Sequence, residues 1–158
     1  MIPHRIDITE VDVSRVRPLR TEVLRPWFDD DKLLEYDGDD GEGAHHFAAI
    51  DTGDGRIVGV VSYLCEPLPV EGESADIRLR GMAIADKLQR QGVGSHLLST
   101  TLPKVALYHP GARVWAAARV SVTEFYARHG FEPVGPRYEM PSVGPHQRMV
   151  RDLPTVLA

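Results

Sequence analysis

The hexapeptide Gln89-Arg90-Gln91-Gly92-Val93-Gly94 constrains this chain most, because it joins a strand pattern to a helix pattern. Before it, Ile77 to Ile84 mostly alternates apolar and polar residues, as a strand with one buried face does. After it, Val93, Leu97, Leu98, Thr101, Leu102, Val105 and Ala106 recur at helical spacing. A glycine-rich turn between strand and helix leaves backbone N–H groups exposed at the positive end of the helix, which suits phosphate oxygens. A Cβ at the glycines would hold those oxygens off the backbone. The segment predicts a site for a phosphorylated cofactor.

Spacing narrows the choice of cofactor. A P-loop requires Gly-Lys-Ser/Thr, which does not follow Gly94. A dinucleotide fingerprint requires a third glycine where Leu97 stands. What remains, Gln-x-x-Gly-x-Gly with Arg90 inside it, resembles the pyrophosphate-binding signature of the GNAT superfamily of CoA-dependent N-acyltransferases.

A second box strengthens the resemblance. Phe125-Tyr126-Ala127-Arg128-His129-Gly130-Phe131 closes a short helix starting near Ser121, with Gly130 placed as a helix C-terminal cap. It is similar to the family's Tyr-x-x-x-Gly-Phe box. Arg113 to Ala117 between the two reads as a strand, so the element order also resembles the family. Leu19 to Pro26 looks like its first helix and Arg56 to Val60 like an early strand. Gly144 to Met149 resembles a tail common in small bacterial members. The likeness covers most of the chain.

The resemblance implies a set of roles. Acetyl-CoA is the acyl donor, and the acceptor is a small-molecule or peptide amine. The backbone of Met82, Ala83 and Ile84 pairs with the pantetheine arm, and one of its N–H groups polarises the thioester carbonyl. Backbone N–H groups of Gln91, Gly92, Val93, Gly94 and Ser95 hold the pyrophosphate, with Gln89 and Arg90 alongside. Tyr126 matches the tyrosine that protonates the departing sulfur; a phenol with a reference pKa of about 10 is protonated at neutral pH. Many relatives carry asparagine seven residues before that tyrosine, where this chain has Arg119. A guanidinium donates but cannot accept, so Arg119 is expected at a CoA phosphate or a carboxylate instead. Glu139 and His146 are the candidates for a general base, although His146 after Pro145 also reads as a surface or turn histidine. A non-catalytic acyl-CoA-binding module is the alternative, and a plain interaction domain would bind no CoA at all.

The 158 residues, 42% of them apolar, fit one globular domain over 1–158. The expected fold is mixed α+β: a GNAT-like, mostly antiparallel sheet of about six or seven strands flanked by about four helices. The anticipated strands are His4–Ile8, Ala44–Asp51, Ile57–Glu66, Ile77–Ile84, the Trp115 strand, Phe131–Glu139 and Gln147–Asp152. Thr52 to Gly55 forms a hairpin turn, Thr9 caps the first helix, and Pro103 kinks or stops the cofactor helix.

Composition excludes several classes. No apolar run reaches the roughly 18 residues of a membrane span, and the N-terminus lacks a signal-peptide layout. A lone cysteine, Cys65, precludes an internal disulfide and points to the reducing cytoplasm. A formal charge of −5 argues against nucleic acid. Part of that acidity lies in Asp29 to Glu42, a solvated loop or, on a sharper reading, an acidic lip for a cationic amine. Its spacing misses the EF-hand pattern, and adjacent His45 and His46 would point to opposite strand faces, so no metal is expected. Oligomeric state is not readable, although homodimers are common among similar families.

Overall fold

A computed structural model describes residues 5–154. The chain runs β1 (Ile6–Glu10), α1 (Val13–Leu24), β2 (His45–Asp51), β3 (Ile57–Cys65), β4 (Ile77–Ile84), α2 (Val93–Tyr108), β5 (Arg113–Arg119), α3 (Thr123–Arg128), β6 (Glu132–Pro133), β7 (Tyr138–Met140) and β8 (Gly144–Asp152). All eight strands form one sheet in the order β1-β2-β3-β4-β5-β8-β6, with β7 also pairing with β8. Only the β4–β5 pair is parallel. The mixed, mostly antiparallel sheet is the expected fold class, with eight strands and three α-helices among the described residues.

Several expectations need correction. The first strand is Ile6–Glu10, and His4 lies outside the described residues. Thr9 is inside that strand; Asp12 caps α1, its carboxylate accepting from the Ser14 N–H at 3.0 Å. The C-terminal region forms three strands rather than two, because Phe131–Glu139 breaks into β6 and β7 around Gly135 and Pro136. The Tyr126 helix begins at Thr123, after a 3₁₀ turn at Val120–Val122.

Helix α2 continues through Pro103 to Tyr108. The proline forfeits a hydrogen bond at a cost of roughly 3 kcal/mol. Beyond it, Val105 and Ala106 are buried with Val93, Leu97, Leu98 and Leu102 against the sheet. Burying each such aliphatic side chain contributes about 1.5–3 kcal/mol, so packing on both sides of the proline outweighs the lost bond.

The decisive local feature is a bulge in β4. Gly59 and Val60 of β3 face Ile84 and Ala83, but Ser62 faces Arg80, so β4 carries one extra residue. Gly81 sits there with φ +67°, and a Cβ on it would fall 2.8 Å from Arg20 Nε. The extra residue flips the side-chain alternation. Leu79 packs in the cluster containing α2, whereas Ala83 packs with Val13 and Val16 of α1. After the bulge, Met82 and Ile84 turn toward the α2 side.

Candidate active site

The bulge opens the sheet. Pairing between β4 and β5 covers only Ile77 with Val114, Arg78 with Trp115 and Leu79 with Ala116. Beyond Leu79, β4 keeps its pairing to β3 and β5 keeps its pairing to β8, but the two strands part from each other. The backbone of Met82 to Ile84 thus presents one edge with no strand partner in the middle of a sheet. An extended ligand arm can pair with such an edge as an added strand does.

The opening leads into a cavity of about 230 Å³ lined in part by Tyr36, Arg80, Met82, Arg119, Tyr126 and His146. Tyr126 reaches it from α3. Its ring packs edge-on against Phe125 and Phe131, and its hydroxyl lies 3.9 Å from Met82 Sδ. Burial pushes the phenol's pKa well above its usual value, with the nearby Tyr36 adding to the effect, so Tyr126 stays protonated at neutral pH.

The glycine turn stands at the start of α2. A 3₁₀ turn at Asp86–Leu88 follows β4, and Arg90 and Gly92 then take left-handed conformations with φ 66° and 87°. Gly92 is the N-cap and supplies no side chain, so the first-turn N–H groups have neither a side-chain cap nor an intrahelical acceptor. This is an uncapped positive helix end of the kind that accepts phosphate. The side chains of both glutamines turn back on the loop: Gln89 Nε2 donates to the Ile84 carbonyl and to Asp86 at 3.1 Å each, and Gln91 Nε2 donates to the Lys87 carbonyl at 3.0 Å. Their visible work is to shape the turn. At Gly94 an added Cβ would meet Met82 Cε at 3.2 Å and Phe125 Cζ at 3.4 Å, so this glycine lets the helix approach the Tyr126 segment. Val93 is fully buried, and Ser95 Oγ is 3.1 Å from His129 Nε2, linking α2 to the end of α3.

Thus β4, Arg119 and Tyr126 line one cavity, and the glycine turn lies beside it, with Gly94 close to Met82 and Phe125. Arg119 ends β5 directly opposite His146 of β8. His146 is not the surface histidine that its place after Pro145 suggests. It is only 4% exposed and lines the cavity, and its Nδ1 donates to the Gly144 carbonyl at 2.8 Å. A carbonyl can only accept, so the ring proton is assigned to Nδ1 and the lone pair of the neutral ring to Nε2. Glu139, by contrast, is exposed on β7 and does not line the cavity.

Sequence reasoning missed the contribution of the acidic loop. Asp29, Asp30, Asp31, Asp37 and Asp40 are exposed, but Asp39 is buried and paired with the fully buried Arg20 at 2.8 and 3.1 Å. Arg20 also donates to Ser62 Oγ at 2.8 Å, and Ser62 lies 2.6 Å from His46 Nδ1. This anchor delivers Tyr36, stacked under Arg20 and Arg80, to the cavity wall. Arg20 and Ser62 stand 42 residues apart in the chain with Asp39 and His46 between them, and such spacing carries no local signal of a network. His45 points the other way, stacking on Tyr108 and facing Glu10 at 3.0 Å, as opposite strand faces require. Among the described residues, no cluster of three or more His, Cys, Asp or Glu side chains could hold a metal ion, and no helix is long and apolar enough to cross a membrane.

Comparison with known proteins agrees with this geometry. The chain is 29% identical over 150 residues to the uncharacterized N-acetyltransferase YitI of Bacillus subtilis (strain 168), covering 95% of this chain and 98% of that one. Its fold is similar to the crystal structure of Escherichia coli ElaA, with a TM-score of 0.73 at 20% identity over 92% of this chain and 99% of ElaA. It is also similar to an aminoglycoside 6'-N-acetyltransferase solved with coenzyme A, with a TM-score of 0.69 at 15% identity over 96% and 99% of the two chains. The family model described as an acetyltransferase (GNAT) domain matches residues 24–153, and the chain therefore belongs to the GNAT acetyltransferase family.

Proposed function

We propose that this protein, acting as one acyltransferase domain, transfers the acetyl group of acetyl-CoA to a primary amine by direct attack in a ternary complex. The observation that carries this reading is that the unpaired β4 edge at Met82 and the Tyr126 hydroxyl border one cavity, while the uncapped start of α2 packs beside them through Gly94. Acetyl-CoA supplies the activated acyl group. In this reading the N–H groups from Gln91 to Ser95 hold its pyrophosphate, with Arg90 alongside, while Met82 to Ile84 pair with the pantetheine arm. Arg119 meets a phosphate or carboxylate oxygen at the mouth of the opening. The related structure solved with coenzyme A supports this choice of ligand.

The amine must attack in its neutral form. Its lone pair forms the new C–N bond, a backbone N–H of the β4 edge stabilises the developing oxyanion, and the C–S bond breaks. Tyr126 donates its proton to the departing sulfur. His146, which lines the cavity and whose Nε2 keeps the lone pair when Nδ1 donates to Gly144, takes the proton that the amine loses. The exposed, unpaired Cys65 fits a reducing compartment, and we place the protein in the cytoplasm.

The test is a thermal shift followed by a turnover assay. CoA at a hundred times its Kd stabilises the fold by about 2.7 kcal/mol, which should raise Tm by roughly 5–10 °C. NADH should produce no shift. Thiol release from acetyl-CoA should then depend on an added primary amine. A CoA-induced shift with no thiol release across a broad amine panel would favour a non-catalytic acyl-CoA-binding module. A response to NADH but not CoA would overturn the cofactor assignment.

A further inference from the structure

The wall of the cavity carries Arg25, Arg78, Arg80 and Arg119 and no acidic side chain. Behind it stands one carboxylate, Glu66, which Arg78 holds at 2.7 Å and Arg80 approaches only to 3.7 Å. Arg25 donates to its neighbour's carbonyl, and neither it nor Arg119 has a carboxylate partner among the described residues. Half-buried cations are ordinarily neutralised, and with Glu66 shared by Arg78 and Arg80 alone the four guanidinium groups leave an excess of positive charge. The Nε atoms of Arg78 and Arg80 are also buried without a hydrogen-bond partner. The Arg80 guanidinium lies over the Tyr36 ring at 3.7 Å and that of Arg78 over the Trp115 ring at 4.5 Å, so both are held in place.

Arg78 and Arg80 of β4 stand on the face of the sheet opposite α2. Arg78 lies over Trp115, whose cluster contains Leu68, Ala75 and Val150. The alternate β4 residues Ile77 and Leu79 pack with α2 on the opposite face. The pyrophosphate that α2 would hold therefore approaches from one face, and the arginines wait on the other, where the acceptor must enter.

We propose that the acceptor is a primary amine bearing an oxyanion, a carboxylate or a phosphate, which the Arg80 side of the cavity binds while the amine faces the thioester. Guanidinium forks match either oxyanion. The same positive wall disfavours an ammonium ion, so it repels polyamines and helps present the acceptor nitrogen in its neutral, nucleophilic form. The exposed aspartates of the loop do not line this cavity; Asp37 lies with Glu35 and Glu66 in an adjoining pocket on the far side of Tyr36 and Arg80.

This inference rests on the acetyl-transfer reading, and its test separates the two. Thiol release is measured with four amines of similar length: 4-aminobutyrate, 2-aminoethyl phosphate, butylamine and 1,4-diaminobutane. One of the two oxyanion amines should exceed butylamine and the diamine in kcat/KM by at least about 10-fold, and which one it is identifies the headgroup. Arg80→Gln should reduce that preference by about 10-fold through the KM for the amine, leaving the Kd for CoA unchanged. Arg25→Gln, at the half-buried C-terminal end of α1, should act in the same direction, with an unchanged Tm showing that the fold is kept. Preference for the diamine, equal preference in wild type and both variants, or an equal loss of CoA affinity would overturn the proposal. Absence of thiol release with every amine counts against acetyl transfer; calorimetric titration of the same amines into the protein with CoA then decides the present proposal. Tighter binding of an oxyanion amine than of butylamine supports it, and equal or absent binding refutes it.

Discussion

The Tyr126 hydroxyl faces the Met82 sulfur at 3.9 Å across the place where β4 and β5 have stopped pairing. A thioether is a weak acceptor, so the phenol has no strong partner that would hold its proton against a departing thiolate. Met82 reaches this position only because the β4 bulge turns it to the α3 side. The acid and the unpaired edge thus arise from the same local irregularity.

Tyr126→Phe keeps the ring between Phe125 and Phe131 and removes only the hydroxyl. We expect kcat to fall by about 10²-fold or more, with the Kd for CoA nearly unchanged, since the proton is needed mainly in the transition state. Unaltered turnover, with chemistry shown to limit the rate, would leave the tyrosine a packing residue.

His146→Ala should lower kcat/KM for the amine by roughly 10²-fold, while acetyl-CoA binding and Tm change little beyond the loss of one ring. Added imidazole should restore part of the rate by occupying the vacated site. A rate that imidazole does not raise, together with a matching loss of stability, would indicate that His146 only packs against Tyr138.

The Arg20–Asp39 pair makes a stability prediction. Both side chains are essentially inaccessible, so Asp39→Asn should leave a buried cation uncompensated and cost about 3–5 kcal/mol in a denaturation experiment. Burial alone would raise the Asp39 pKa, but the hydrogen bonds from Arg20 and the Tyr36 N–H, with the Arg20 charge, hold it below the usual carboxylate range. Burial pushes the His46 imidazole below its ordinary value. Both folded pKa values are depressed, so both groups stabilise at high pH and lose that contribution as pH falls. Loss should begin below about pH 6.5 as unfolded histidine takes up protons, and steepen below about pH 4 as the Asp39 pair is titrated. His46→Gln should flatten the first stage; a wild-type stability independent of pH between 7 and 5 would contradict this account.

How much of this was legible before the fold was known differs by element. The alternating Ile77–Ile84 stretch, the glycine turn and the Tyr126 box are short, contiguous patterns, and each appears where its spacing places it. Pro103 misled because its penalty is local whereas the burial that outweighs it belongs to the whole α2–sheet contact. Turn chemistry around Gly135-Pro136 divided one anticipated strand in two.

The sequence by itself determined the fold family, the strand-to-helix phosphate turn and the position of a tyrosine beside it, since these depend on residue types a few positions apart. Only the tertiary structure decided what surrounds them. The extra residue at Gly81 is invisible in periodicity, yet it reverses the faces of β4 and parts it from β5. Asp39, placed in an acidic run, became the buried partner of Arg20 because the loop folds back over α1. His146 and Arg119 meet because antiparallel registry brings the start of β8 to the end of β5. Such neighbours are set by sheet register and desolvation, which act between residues far apart in the chain.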